Sequence, residues 1–276
     1  MIIDTHSHLY DDAFGDNVED VLQRARDAGV GKIFLPNING QTVEPMLALA
    51  RRHRGFLYPM IGLHPEDITD DWRDVLTRME ALLQAPAHPF IGVGEVGLDY
   101  YWDRSRYAEQ QEVFANQVQW ALRYGLPLMI HTRSAHREMV DVLKCQVDNW
   151  LLSNRQSSNC KQPNCPAHGV FHCFGGTAAE AEELLSFDGF MLGIGGVLTF
   201  KKSPLPEVLR SAVPLSRIVV ETDSPYLSPV PYRGRRNESA YVVAVVRRLA
   251  EVYGVSEAEV SEITSRNALL TFPKAV

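Results

Sequence analysis

The sequence predicts an α/β protein folded as one (β/α)8 TIM barrel, and three observations carry that expectation. Eight short apolar, β-branched runs recur along the 276 residues, each followed by a stretch with apolar side chains at helical spacing. Strands alternating with helices build a parallel sheet, and eight such units in a chain of this length close most economically into a barrel. Six of the eight runs finish on a histidine or a carboxylate, at the end where such barrels carry their chemistry. A doubly wound open sheet is the competing arrangement. The first turn, His8-Leu-Tyr-Asp-Asp12, lacks the G-x-G-x-x-G of a dinucleotide fold and disfavours it.

The first run, 2–6, precedes the helical stretch 18–28, where Val18, Val21, Leu22 and Ala25 share a face before Gly29. Run 32–35 precedes 42–53, with Met46, Leu47, Leu49 and Ala50. Run 58–62 leads to 71–83, with Val75, Leu76, Met79 and Leu82. Run 90–94 leads to the long stretch 106–124, with Phe114, Val118 and Ala121, stopped by Gly125. Run 128–131 precedes 137–152, run 169–172 precedes 178–185, and run 190–194 precedes the short 206–212. Two helical stretches, 238–253 and 257–270, follow the last run, 218–221. No repeat, linker or second domain interrupts 1–276. The polar segment 149–168 reads as a surface insertion between units five and six.

Apolar residues make up 45% of the chain and charged residues 22%, enough to bury a full core. No basic segment leads into an apolar one at the N-terminus, and no run of about 18 apolar residues occurs, so neither a signal peptide nor a membrane span is expected. A cytoplasmic location is the resulting expectation. The formal charge of −7 excludes a generic basic nucleic-acid coat. It does not exclude a nuclease, because bound cations and a few local Arg and Lys residues neutralise phosphates. The four cysteines, Cys145, Cys160, Cys165 and Cys173, are expected as thiols. Cys160, Cys165 and His168 with Cys145 have no regular zinc spacing and read as incidental to the polar loop.

The chemistry lies in what ends each strand. His6 and His8 are two apart, so in extended chain their imidazoles project to one side and form half of a divalent-metal site. Gly62-Leu-His64-Pro65 ends the third strand, Gly94-Glu95-Val-Gly-Leu-Asp99 the fourth, His131-Thr-Arg133 the fifth, His172-Cys-Phe-Gly-Gly176 the sixth, and Glu221-Thr-Asp223-Ser-Pro225 the eighth. Of nine histidines, five fall at strand ends, which makes the set a metal-site candidate rather than scattered caps. Imidazole plus carboxylate suits Mg²⁺, Mn²⁺, Zn²⁺ or Fe²⁺ in an open, catalytic site. The set is too large for one tetrahedral ion and sufficient for two ions sharing a carboxylate, with Glu95 placed mid-barrel as the bridge. The same rim carries Arg133, Lys201, Lys202 and Arg233 as candidate phosphate contacts. Arg235 and Arg236 read as a solvated loop. Tyr101, Phe174, Tyr226 and Tyr232 either stack on bases or pack the mouth.

These motifs resemble the TatD-type metal-dependent deoxyribonucleases of the amidohydrolase superfamily. The resemblance runs from Asp4-Thr-His-Ser-His8 through Gly62-Leu-His-Pro65, Gly92-Val-Gly-Glu-Val-Gly-Leu-Asp-Tyr100, Pro127-Leu-Met-Ile-His-Thr-Arg133 and Phe171-His-Cys-Phe-Gly-Gly176 to Glu221-Thr-Asp-Ser-Pro-Tyr-Leu227 and Arg233-Gly-Arg-Arg-Asn237. It implies a metal-dependent hydrolase of DNA phosphodiesters, trimming from a 3′ end. By position it makes His6, His8, Glu95 and Asp223 ligands of one ion, and Glu95, His131 and His172 ligands of a second. It puts His64 near the phosphate and makes Asp223 the general base. Two departures stand out: the 149–168 segment is longer than the family pattern, and Gly175-Gly176 follows Phe174 where a Ser is common. Strand four supplies Glu95 where the superfamily's other branch uses a carboxylated lysine, which favours the nuclease branch over lactonases or dihydroorotase-like enzymes. A hydrolase of a small amide, lactone or phosphoester is the alternative activity, and a non-enzymatic metal-binding scaffold the alternative class. No protein partner is inferable.

Overall fold

The computed structural model describes residues 1–102, 105–154 and 167–276. Its strands are β1 (Ile2–Asp4), β2 (Val30–Leu35), β3 (Leu57–Pro59), β4 (Val93–Asp99), β5 (Leu128–Arg133), β6 (Gly169–Phe171), β7 (Phe190–Ile194) and β8 (Ile218–Val220). All pair in parallel, in the orders β1-β2-β3 and β4-β5-β6-β7-β8. Backbone bonds close the two remaining joints. Between β3 and β4, the Ile91 N–H donates to the Pro59 carbonyl (2.9 Å) and the Gly94 N–H to that of Ile61 (2.9 Å). Between β8 and β1, the Thr5 N–H donates to Val220 (3.1 Å) and the Asp223 N–H to His6 (2.9 Å). Eight parallel strands therefore form the expected ring.

The helices among the described residues are α1 (Val18–Asp27), α2 (Val43–Arg52), α3 (Trp72–Leu83), α4 (Tyr107–Tyr124), α5 (His136–Asn154), α6 (Ala178–Leu185), α7 (Leu205–Ala212), α8 (Val242–Tyr253) and α9 (Glu257–Thr271). None is long and apolar enough to cross a membrane.

Three expectations need correction. The fourth strand begins at Val93 and runs on to Asp99, not over 90–94, and it is buried along its whole length. Gly97 permits this: at φ +143° it lies so close to β5 that a Cβ would run into the His131 carbonyl oxygen. On α3, Leu83 and not Leu82 faces the core, at 2% against 39% exposed. Helix α5 continues to Asn154, so the first residues of the expected insertion are helical. Most of that insertion, with Cys160 and Cys165, lies outside the described residues, whereas Cys145 is an exposed free thiol on α5.

The core has two layers. Ile3, Phe34, Met60, Ile91, Met129, Val170 and Val219 point into the barrel and meet Ala268 and Phe272 of the C-terminal segment. Helix α9 covers the N-terminal ends of the strands. Its Asn267 amide donates to the carbonyls of Leu215 (3.1 Å) and Ile218 (2.7 Å), and its Ser265 hydroxyl to that of Met1 (3.0 Å). Outside the barrel, the inner faces of the other helices pack against the strands. With the floor plugged, the opposite end is left for the site.

Candidate metal centre

Glu95, 3% exposed on β4, stands at the centre of that end. Its two oxygens face different groups. Oε2 lies 3.1 Å from His6 Nε2 and 3.3 Å from His8 Nε2, and Asp223 Oδ1 is 3.7 Å from each of these nitrogens. Oε1 lies 3.0 Å from His131 Nδ1, 3.2 Å from His172 Nε2 and 3.4 Å from His64 Nε2. The structure thus brings together six of the residues singled out from sequence around Glu95. The close β4–β5 approach at Gly97, which pairs with His131, sets His131 beside Glu95. Asp223 is held at φ +58°, a strained value for a non-glycine residue. Ser134, Cys173 and Leu227 share that backbone region, all in loops at the same end of the barrel.

The outer nitrogens of these rings set what the inner ones can do. The Tyr10 hydroxyl donates to the Pro36 carbonyl (2.5 Å), so its oxygen accepts from His8 Nδ1–H (3.0 Å). His131 Nε2–H donates to Asp99 Oδ2 (2.9 Å), and His172 Nδ1–H to Glu221 Oε1 (3.2 Å). In each case the outer nitrogen keeps its proton, so a cation that displaces the inner one meets the lone pair of the nitrogen facing Glu95, the arrangement that orients metal-binding histidines. His64 is the reverse. Its Nδ1 accepts the Glu66 backbone N–H (3.2 Å), so in the neutral ring Nε2 carries the proton and is a donor. Asp99, Glu221 and Tyr10 were not singled out as site residues from sequence. Asp99 and Glu221 stood in the strand-end motifs, and Tyr10 follows His8 by two residues. Gly193 makes room for Glu221, because a Cβ there would collide with its Oε2.

The electrostatics call for positive charge. Burial opposes ionisation of Glu95, yet His6, His64 and His172 hold it well below the usual carboxylate range. Burial likewise opposes ionisation of Asp223, which the His8 hydrogen bond and nearby imidazoles hold low. Burial pulls His8 and His131 down, but Asp223 and Glu95 for the first, and Asp99 and Glu95 for the second, push each up to about 9. His6 is lowered, by burial first and by His172 next. Its Nε2 faces His8 Nε2 at 3.1 Å, while its Nδ1 is buried without a hydrogen-bond partner among the described residues. Opposed ring nitrogens and ionised carboxylates fit a divalent cation on either side of Glu95. The ligand-type grouping His6–His8–Glu95 lies on one side; on the other, Glu95 and His131 are grouped with His64, whose neutral ring turns a donor and not a lone pair toward Glu95.

A cavity of about 840 Å³ opens over this cluster, with Arg133, Trp102 and Tyr226 at its edge. Strand β5 extends to Arg133, whose guanidinium lies 3.8 Å over the Tyr101 ring. Lys201 and Arg233 do not line this cavity. Lys201 is exposed after β7, and Arg233 rests 4.0 Å over Phe200 in the loop after β8. Arg236 is an exposed loop residue, as expected, and in addition donates to the Ala13 carbonyl (2.6 Å), tying that loop to the one after β1. Phe174 is buried and Tyr232 stacks on Tyr241 at 3.7 Å, so both pack the protein. Tyr101 and Tyr226 stay exposed.

Residues 3–273 match the family model described as TatD related DNase. The chain belongs to the TatD-related DNase family. It is 33% identical over 273 residues to the metal-dependent hydrolase YabD of Bacillus subtilis, covering 99% of both chains. It is 31% identical to the 3′-5′ ssDNA/RNA exonuclease TatD of Pectobacterium carotovorum, covering 98% of this chain and 99% of that one. Among solved structures it resembles YjjV, a TatD homologue of Escherichia coli, with a TM-score of 0.84 at 30% identity over 99% of this chain and 98% of that chain. Family membership and the closed barrel agree with the resemblance read from the motifs.

Proposed function

We propose that this TatD-family protein is a metal-dependent exonuclease that removes nucleotides from the 3′ end of a nucleic-acid strand, residues 1–276 acting as one hydrolase domain. The observation that carries the reading is Glu95, a buried carboxylate with one oxygen in each of two imidazole groups. His6, His8, Glu95 and Asp223 would hold one divalent ion, and Glu95, His131 and His172 a second, of the Mg²⁺, Mn²⁺ or Zn²⁺ class. The names of the relatives in Bacillus and Pectobacterium support a metal-dependent hydrolase and a nucleic-acid substrate. Such ions, when bound, lower the pKa of water and neutralise charge on a phosphodiester.

The chain's own residues do the rest. Asp223, held ionised at the mouth, accepts the proton of the attacking water. His64, with its proton fixed on Nε2, donates to a non-bridging phosphate oxygen and does not compete for a cation. Arg133 at the cavity edge meets the phosphate of the neighbouring nucleotide with a charge-assisted bond. Tyr10, Asp99 and Glu221 keep three imidazoles in one tautomer and one orientation.

The test is hydrolysis of oligonucleotides labelled at the 3′ or the 5′ end, with and without a chelator, beside a p-nitrophenyl ester and a set of lactones. Stepwise metal-dependent loss from the 3′ end is the expected result. Lactone or ester turnover with intact oligonucleotides would replace this reading with the small-molecule one.

A further inference from the structure

Large exposed apolar side chains gather at the mouth. Tyr101 is 54% exposed, Trp102 66% and Tyr226 51%, and Trp102 and Tyr226 both line the cavity above Glu95. Trp102 is unlike the other tryptophans: Trp72 and Trp120 are 3% exposed and Trp150 is half-buried. A ring this large normally buries most of its surface, so one left open beside a cavity is suited to a ligand with a flat face. Its setting is organised. The Tyr101 and Trp102 rings meet edge to face with centroids 4.7 Å apart, and the Arg133 guanidinium lies 3.8 Å over the first ring and 5.2 Å from the second. A guanidinium stacked on a ring keeps its edge N–H donors outward, where a phosphate can reach them. A stacking face and a phosphate donor side by side match one nucleotide unit.

We propose that Trp102 is the stacking platform for a nucleobase of the bound strand, with Arg133 on the adjoining phosphate. This rests on the nuclease reading and extends it to the base. Stacking needs a base whose face is open, so the platform selects unpaired nucleotides. It is tolerant of sequence, because every base has a π-face. Phe174 and Tyr232 cannot substitute, since their faces are already covered.

The test uses metal-saturated protein and oligonucleotides carrying an abasic residue at successive positions from the 3′ end. In the wild type, one of those positions should raise KM by about tenfold, within the range for a lost base–aromatic stack. Trp102→Ala should raise KM for the intact strand by a similar factor and make it indifferent to the abasic residue. Trp102→Phe should restore most of the discrimination. The effect should fall on KM rather than kcat, and intact strand added in chelator should quench the emission of the wild type more than that of Trp102→Phe. An abasic penalty equal in wild type and Trp102→Ala, with the oligonucleotide still hydrolysed, overturns the platform and leaves the nuclease standing. A wild type that leaves every oligonucleotide intact overturns both.

Discussion

The two ends of this barrel are built from opposite materials. At the floor, Ile3, Met60, Val219 and Phe272 meet without a polar side chain among them, under a helix whose Asn267 and Ser265 satisfy strand-end carbonyls. At the mouth, Glu95 is surrounded by five imidazoles and Asp223, and the backbone is strained at Ser134, Cys173, Asp223 and Leu227. Neither side of the contrast depends on the other's chemistry. Buried apolar surface stabilises the fold, while the mouth buries ionised carboxylates among imidazoles, one of which, His6, keeps a ring nitrogen without a hydrogen-bond partner among the described residues. The difference teaches that stability and turnover should separate when each end is altered.

The largest expected effect is at the floor. Phe272 is fully buried, and Phe272→Ala should cost about 3–5 kcal/mol of unfolding free energy in urea. Metal content and kcat of the folded fraction should be unchanged, and a matching fall in kcat would break the separation. At the mouth, Asp223→Asn should lower single-turnover hydrolysis by about 10²-fold, near 2.7 kcal/mol, with the urea midpoint little altered. Rates within about threefold of wild type at saturating metal would remove Asp223 as the base. One layer out, Asp99→Asn or Glu221→Gln should weaken metal binding by about 10- to 100-fold in a chelator competition, with turnover largely recovered at high metal. Unaltered affinity would mean that these carboxylates serve only packing. The smallest effects should come from the rim. Arg133→Ala should raise KM by about tenfold, the scale of a charge-assisted bond, and Lys201→Ala or Arg233→Ala by less than about threefold. The opposite ranking would move the strand's path onto the loops after β7 and β8.

The sequence made the floor and the mouth legible to different degrees. The eight strand–helix units were readable because apolar periodicity is a local signal, and the strand-end histidines were readable because alternation puts His6 and His8 on one side. The length of β4 was not, since its glycines read as an end and serve instead to bring it against β5 at Gly97. The outer partners of the histidines were hidden for a similar reason. Tyr10, Asp99 and Glu221 stood beside or within the quoted motifs, but only the folded barrel shows which ring nitrogen each one holds. Loop position misled in the other direction. Basic residues after β7 and β8 suggested a phosphate contact, yet Lys201 and Arg233 do not line the cavity, while Trp102, a residue without a charge or a motif, does.

The central claim is that Glu95 ties two cation sites into one centre, and counting bound metal tests it most directly. Wild type and Glu95→Ala, loaded with Mn²⁺ or Zn²⁺, freed of excess and analysed for metal per chain, should differ sharply. The account predicts about two ions in the wild type and fewer than about one in the variant, because each of its sites loses the shared oxygen donor. A wild type that never exceeds about one ion, or a Glu95→Ala protein that keeps both, would contradict it.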